Sequence, residues 1–137
     1  MHWHTRVLMS LSAACMAALG IGITFLPQEL LSHFGAPAEG TVVLLVQVLG
    51  ALYLGFAALN WMNRGSHLGG IYGRPIMLAN FIAWAVAAVA LLKGAIAQQF
   101  PLDITAMAAI HALFGVWFGL VLFTHPASDS RADVRHP

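Results

Sequence analysis

The stretch from Asn60 to Asn80 reads Asn-Trp-Met-Asn-Arg-Gly-Ser-His-Leu-Gly-Gly-Ile-Tyr-Gly-Arg-Pro-Ile-Met-Leu-Ala-Asn. It joins two long apolar segments and holds Arg64 and Arg74, two of the chain's six lysines and arginines. It is the densest run of hydrogen-bonding side chains in the first 125 residues. Its glycines and Pro75 punctuate the chain as a loop. What lies on either side decides the fold.

The chain has 137 residues, of which 60% are hydrophobic and 8% charged, with mean hydropathy +0.81. A water-soluble domain carries about 25% charged residues. One-third of that share cannot coat a surface facing water, so the solvent is lipid. The length suits one domain. A net charge of +1 and the lack of a basic tract argue against nucleic acid as a partner. A single cysteine, Cys15, inside an apolar run excludes an internal disulfide, a CxxC redox pair and a multi-cysteine metal site.

Four apolar segments are long enough to cross a hydrocarbon core, which takes roughly 20 helical residues. They run at about Thr5–Leu26, Thr41–Met62, Ile76–Ala97 and Leu102–Thr124. Their only charged residues, Arg6, Lys93 and Asp103, lie near the ends. Backbone groups in lipid must be satisfied within the segment, so the spans are helices. Short connections predict an all-α, up-down, integral membrane four-helix bundle in one domain, residues 1–126. Residues 127–137 form a polar cytoplasmic tail. The first segment begins like a signal peptide, and Ser12-Ala13-Ala14-Cys15 resembles a lipoprotein cleavage box. Its apolar run continues to Leu26, beyond the roughly 7–15 residues of an h-region, so a retained span is expected.

The first connection has its own order. Pro27 suits a first helical position, Glu29 lies in the first turn, where the helix dipole favours it, and Gly35 then Pro37 end it. A short helix at the membrane surface is expected here. The second connection is the Gly-rich loop, and the third is a tight turn from Gln98 to Pro101. Arg6, Arg64, Arg74, Arg131 and Arg135 fall on one side of the spans and Lys93 on the other. Five against one places both termini and the Gly-rich loop in the cytoplasm. Trp3, Trp61 and Tyr72 fall near that interface, as an aromatic belt would place them.

Lipid tails do not drive helices together, so close approach depends on small residues. The first span carries Ser10, Ala14, Ala18 and Gly22 at four-residue spacing. The third carries Ala79, Ala83 and Ala87, and the fourth carries Gly115 and Gly119, preceded by His111. These faces predict tight helix contacts, within the chain, in a homo-oligomer or in a larger membrane complex.

Few residues are candidates for chemistry. Asn60 and Asn80 lie near the cytoplasmic boundary on neighbouring spans, where two amides bond across helices or line a polar pocket. His111 is the one histidine deep in a span, and Tyr53 lies at comparable depth. Ionisable groups at that depth are rare and face the bundle interior. The candidate ligand-binding set is therefore Asn60, Asn80, His111 and Tyr53, with Arg64, Arg74 and Tyr72 at the mouth. The arginines suit an anionic head group or a carboxylate. No metal-ligand spacing, nucleophile–base pair or carboxylate pair is present, which points away from an enzyme. The loop's Gly-Gly-x-x-Gly follows a membrane helix and lacks the Walker lysine, which argues against a nucleotide site.

The run Gly69-Gly-Ile-Tyr-Gly-Arg-Pro-Ile76, with Asn80 a turn into the next helix, resembles small bacterial four-helix membrane proteins without an assigned role. In size and helix plan, residues 5–124 are loosely similar to the DoxX-like group. That resemblance implies a bacterial inner-membrane location and, for some members, a place beside quinone-linked oxidoreductases. It carries over no catalytic residue. The expected function is a small accessory or ligand- or lipid-binding membrane subunit. The rivals are an oligomeric small-solute transporter or channel, and a redox protein using quinone or haem through His111. No cofactor is otherwise implied.

Overall fold

The computed structural model describes residues 2–65, 73–98 and 102–124, with side chains at all of these except positions 2, 3 and 98. Its helices are α1 (His2–Phe25), α2 (Pro27–His33), α3 (Gly40–Asn63), α4 (Gly73–Gln98) and α5 (Leu102–Thr124). There is no strand among the described residues. α1, α3, α4 and α5 are each long and apolar enough to cross a membrane. The chain is an all-helical, multi-pass membrane protein, as the hydropathy predicts. Tyr72, Gly69, Gly70, the turn at 99–101 and the tail from 127 lie outside the described residues.

Contacts divide the chain into two compact units, Met1–Gly65 and Ser66–Pro137. In the first, α1 packs against α3, with α2 between them in sequence. Ser12 meets Asn60, and Gly20 faces Gly50 and Leu54, so higher numbers on α1 pair with lower numbers on α3. The two helices are therefore antiparallel. The buried residues of α1 are Leu8, Met9, Ser12, Ala13, Met16 and Gly20, and they recur every three to four positions along one face. In the second unit Gly115 meets Ala85, and Gly119 and Phe123 meet Phe81. α4 and α5 are antiparallel as well. Their buried faces run through Met77, Asn80, Trp84 and Ala88, and through Ala108, His111, Phe114, Phe118 and Leu122.

α2 ends as its sequence requires. Gly35 takes a left-handed conformation with φ +67°. Ala36 N–H donates to the Leu31 carbonyl at 2.8 Å, and Gly35 N–H donates to that of Ser32 at 3.1 Å. This pair of bonds is the Schellman termination, and glycine fits it because it has no Cβ to clash. At the other loop, α4 begins three residues before the span read from hydropathy. Pro75 falls in its first turn, where a missing N–H loses no helical bond.

The small-residue faces divide by use. A Cβ on Gly50 would meet the Thr24 hydroxyl, the Thr24 backbone nitrogen at 2.8 Å and the Gly20 carbonyl oxygen at 3.1 Å. A Cβ on Gly115 would sit 3.3 Å from the Ala85 backbone, and one on Gly119 3.0 Å from the Phe81 ring. Gly115 and Gly119 thus pack as the sequence predicts. On α1 the packed glycine is Gly20 instead. Ala14 and Ala18 are exposed, and a Cβ on Gly22 would meet nothing within 4 Å. The stripe through Ala14, Ala18 and Gly22 faces away from α3.

Candidate functional site

The polar side chains of the first hairpin converge at its Asn60 end. Asn60 is on α3, one turn from the helix end, and is fully buried. Its Nδ2 donates to Ser12 Oγ at 3.0 Å and lies 3.8 Å from Met16 Sδ. Ser12 is also fully buried. An unmatched amide in an apolar interior costs several kcal/mol, so each of these groups needs the other. Ser12 was invisible as a site residue in the sequence, where it reads as one more small helix residue. Only the register of the hairpin gives it a partner 48 positions away. Tyr53 is half-buried on the same helix.

Beyond Asn60 the end of α3 is closed by its own side chains. Asn63 Nδ2 donates to the Leu59 carbonyl at 2.8 Å. Arg64 Nη1 donates to the Trp61 carbonyl at 2.6 Å, and its guanidinium lies over the Trp61 ring, 3.6 Å from the centroid. The last carbonyls of a helix have no intrahelical partner, and cations are favoured there by the dipole.

The second hairpin is organised around Trp84. Its indole is fully buried on α4. It stacks on Phe114 with centroids 4.5 Å apart and planes 23° apart. It also meets His111 at 4.8 Å with planes inclined at 59°. His111 is 1% exposed, and its Nδ1 pairs with the Met107 carbonyl one turn back at 2.8 Å. A carbonyl only accepts, so Nδ1 carries the proton of this bond. Asn80, fully buried on α4, donates from Nδ2 to the Ile76 carbonyl at 2.9 Å. Arg74 is exposed in the first turn of α4. Trp84 is the residue that sequence reasoning passed over. A tryptophan mid-span, far from either interface, was the available signal.

The candidate residues thus fall into two groups. Asn60, Tyr53 and Arg64 belong to the first unit, and Asn80, His111 and Arg74 to the second. Among the described residues there is no group of three or more His, Cys, Asp or Glu positioned to hold a metal ion. Cys15 is a free, half-buried thiol. The hydrogen bonds described above tie Asn60 across to Ser12, and Asn80 and His111 onto their own turns. No family model, no curated protein and no solved structure matches this chain.

Proposed function

We propose that this chain is a small accessory subunit of a bacterial inner membrane, acting by docking to a larger membrane assembly. The observation that carries the reading is the contrast between its buried and its uncovered faces. Ser12, Asn60, Asn80 and His111 are all buried, with hydrogen bonds inside their own hairpins. Meanwhile Leu44, Leu45, Val48, Leu49 and Leu52 of α3 are exposed, and so are Ala14 and Ala18 of α1. A helix face of small residues admits another helix closely, and in lipid that packing is the main source of association. The arginines favour a topology with both termini and the Gly-rich loop cytoplasmic. The loose similarity to the DoxX-like group points the same way, toward a subunit beside a quinone-linked oxidoreductase.

The test is purification of the tagged chain from native membranes in mild detergent, followed by native mass spectrometry. A second membrane polypeptide in fixed ratio is expected. A chain that travels alone with a stoichiometric quinone or haem would replace this reading with the redox one, centred on His111.

A further inference from the structure

One end of the first hairpin carries charge that helix packing does not use. The register that pairs Ser12 with Asn60 brings Arg64 level with Leu8, and Arg6 lies about half a turn further along α1 at the same end. Arg64 has its plane fixed from one side, by the Trp61 ring beneath it and by the Trp61 carbonyl on Nη1. Its other edge, Nε–H and Nη2–H, makes no bond among the described residues. Those two parallel donors form the fork that fits two oxygens of a phosphate. Arg6 is exposed and has no hydrogen bond or ion pair among the described residues. The acidic residues of this unit, Glu29 and Glu39, lie at the opposite end, on α2 and just before α3.

We propose that this end of the hairpin binds the head group of an anionic phospholipid. The phosphodiester sits on the free edge of Arg64, and Arg6 supplies the second positive charge. The α3 C-terminus by itself repels an anion, with about half a negative charge. The guanidinium interposes a full positive charge and reverses the sign. Trp61, 54% exposed, sets the cluster at head-group depth, because an indole beside an apolar span settles at the membrane interface. Exposed Leu11 and Met62 lie near the same end of the hairpin, so apolar surface for acyl chains is present at that depth. That surface is why a lipid is favoured over a free phosphate. The site stands whether or not the chain docks to another protein.

The experiment uses the full chain, delipidated in detergent and titrated with phosphatidylglycerol or phosphatidylcholine, with bound lipid read by native mass spectrometry. Phosphatidylglycerol is expected to bind more tightly. Arg6→Gln weakens it about fivefold, the effect of one cation at an anionic surface. Arg64→Lys keeps the charge, loses the fork, and also weakens binding. Arg6→Gln breaks no hydrogen bond or ion pair of the described residues, so the test survives if Arg64 variants misfold. Equal binding of the two lipids, or phosphatidylglycerol binding unchanged in the Arg6→Gln, Arg64→Lys double variant, overturns the proposal. Displacement of the lipid by glycerophosphate at equal concentration would assign the site to a soluble phosphate and overturn the lipid.

Discussion

The two hairpins are built from the same kind of helix and held by different means. α1 and α3 meet backbone to backbone at Gly20 and Gly50, and a buried amide–hydroxyl bond from Asn60 to Ser12 fixes them further along. α4 and α5 also approach at Gly115 and Gly119, but their buried centre is aromatic, with Trp84 against Phe114 and His111. The first hairpin combines close backbone approach with one directional bond and tolerates little change of size. The second relies on shape and dispersion among large rings. In lipid this difference matters, because no hydrophobic effect drives either pair together. What remains is close packing and polar bonds, and the two hairpins combine them differently.

Substitutions separate the two hairpins, and the largest effect is expected in the second. Trp84→Ala empties the space between Phe114 and His111. Removing a large buried ring costs roughly 3–5 kcal/mol in water-soluble cores, and the lower end applies here because lipid recovers part of the transfer term. Hydrogen exchange should loosen in α4 and α5 while α1 and α3 keep their protection. Equal loosening in both hairpins would mean that the aromatic cluster supports the whole chain.

Gly50→Leu comes next. Overpacking costs about 1–3 kcal/mol, and here the obstacle is the Gly20 and Thr24 backbone, which cannot rotate away. Unfolding in a titration with denaturing detergent should register the loss. Gly55→Leu is the control on the same helix, since a Cβ there meets nothing within 4 Å. It should stay within about 0.5 kcal/mol of the parent. Comparable losses at both positions would show that leucine itself, and not close approach, is responsible.

The polar bond is worth less. A double-mutant cycle of Ser12→Ala and Asn60→Leu should give a coupling of about 0.6 kcal/mol, the average for buried bonds between membrane helices. A coupling near zero would reduce the first hairpin to its glycine contact. Smallest of all, Ala14→Leu with Ala18→Leu should leave the hairpin's stability within about 0.5 kcal/mol, because both side chains are exposed. The same pair should release the second polypeptide that the proposed docking role requires. Retention of the partner would move the docking face from α1 to the leucine flank of α3.

Much of this was legible from one-dimensional pattern. Spanning length, the Schellman glycine at position 35 and the polar residues inside spans all depend on near neighbours in sequence. His111 and Asn80 stood out because a polar group in an apolar run is conspicuous. The packing of Gly115 and Gly119 was anticipated, yet the same four-residue spacing on α1 faced outward. Spacing defines a stripe without saying which way it turns, and the glycine that α1 uses, Gly20, lies off that stripe.

Hydropathy alone dictates an all-helical chain with four segments long enough to span, because lipid admits only backbone that satisfies its own hydrogen bonds. It also picked out the few residues whose burial would demand partners. Their partners follow from how the helices pack. Asn60 found Ser12, Trp84 became the centre of the second hairpin, and Arg64 folded onto Trp61, its Nε–Nη2 edge making no bond among the described residues. Two of those pairings depend on the register between helices far apart in sequence. That register is set by which small residues let two backbones approach, a comparison of surfaces that no local pattern contains.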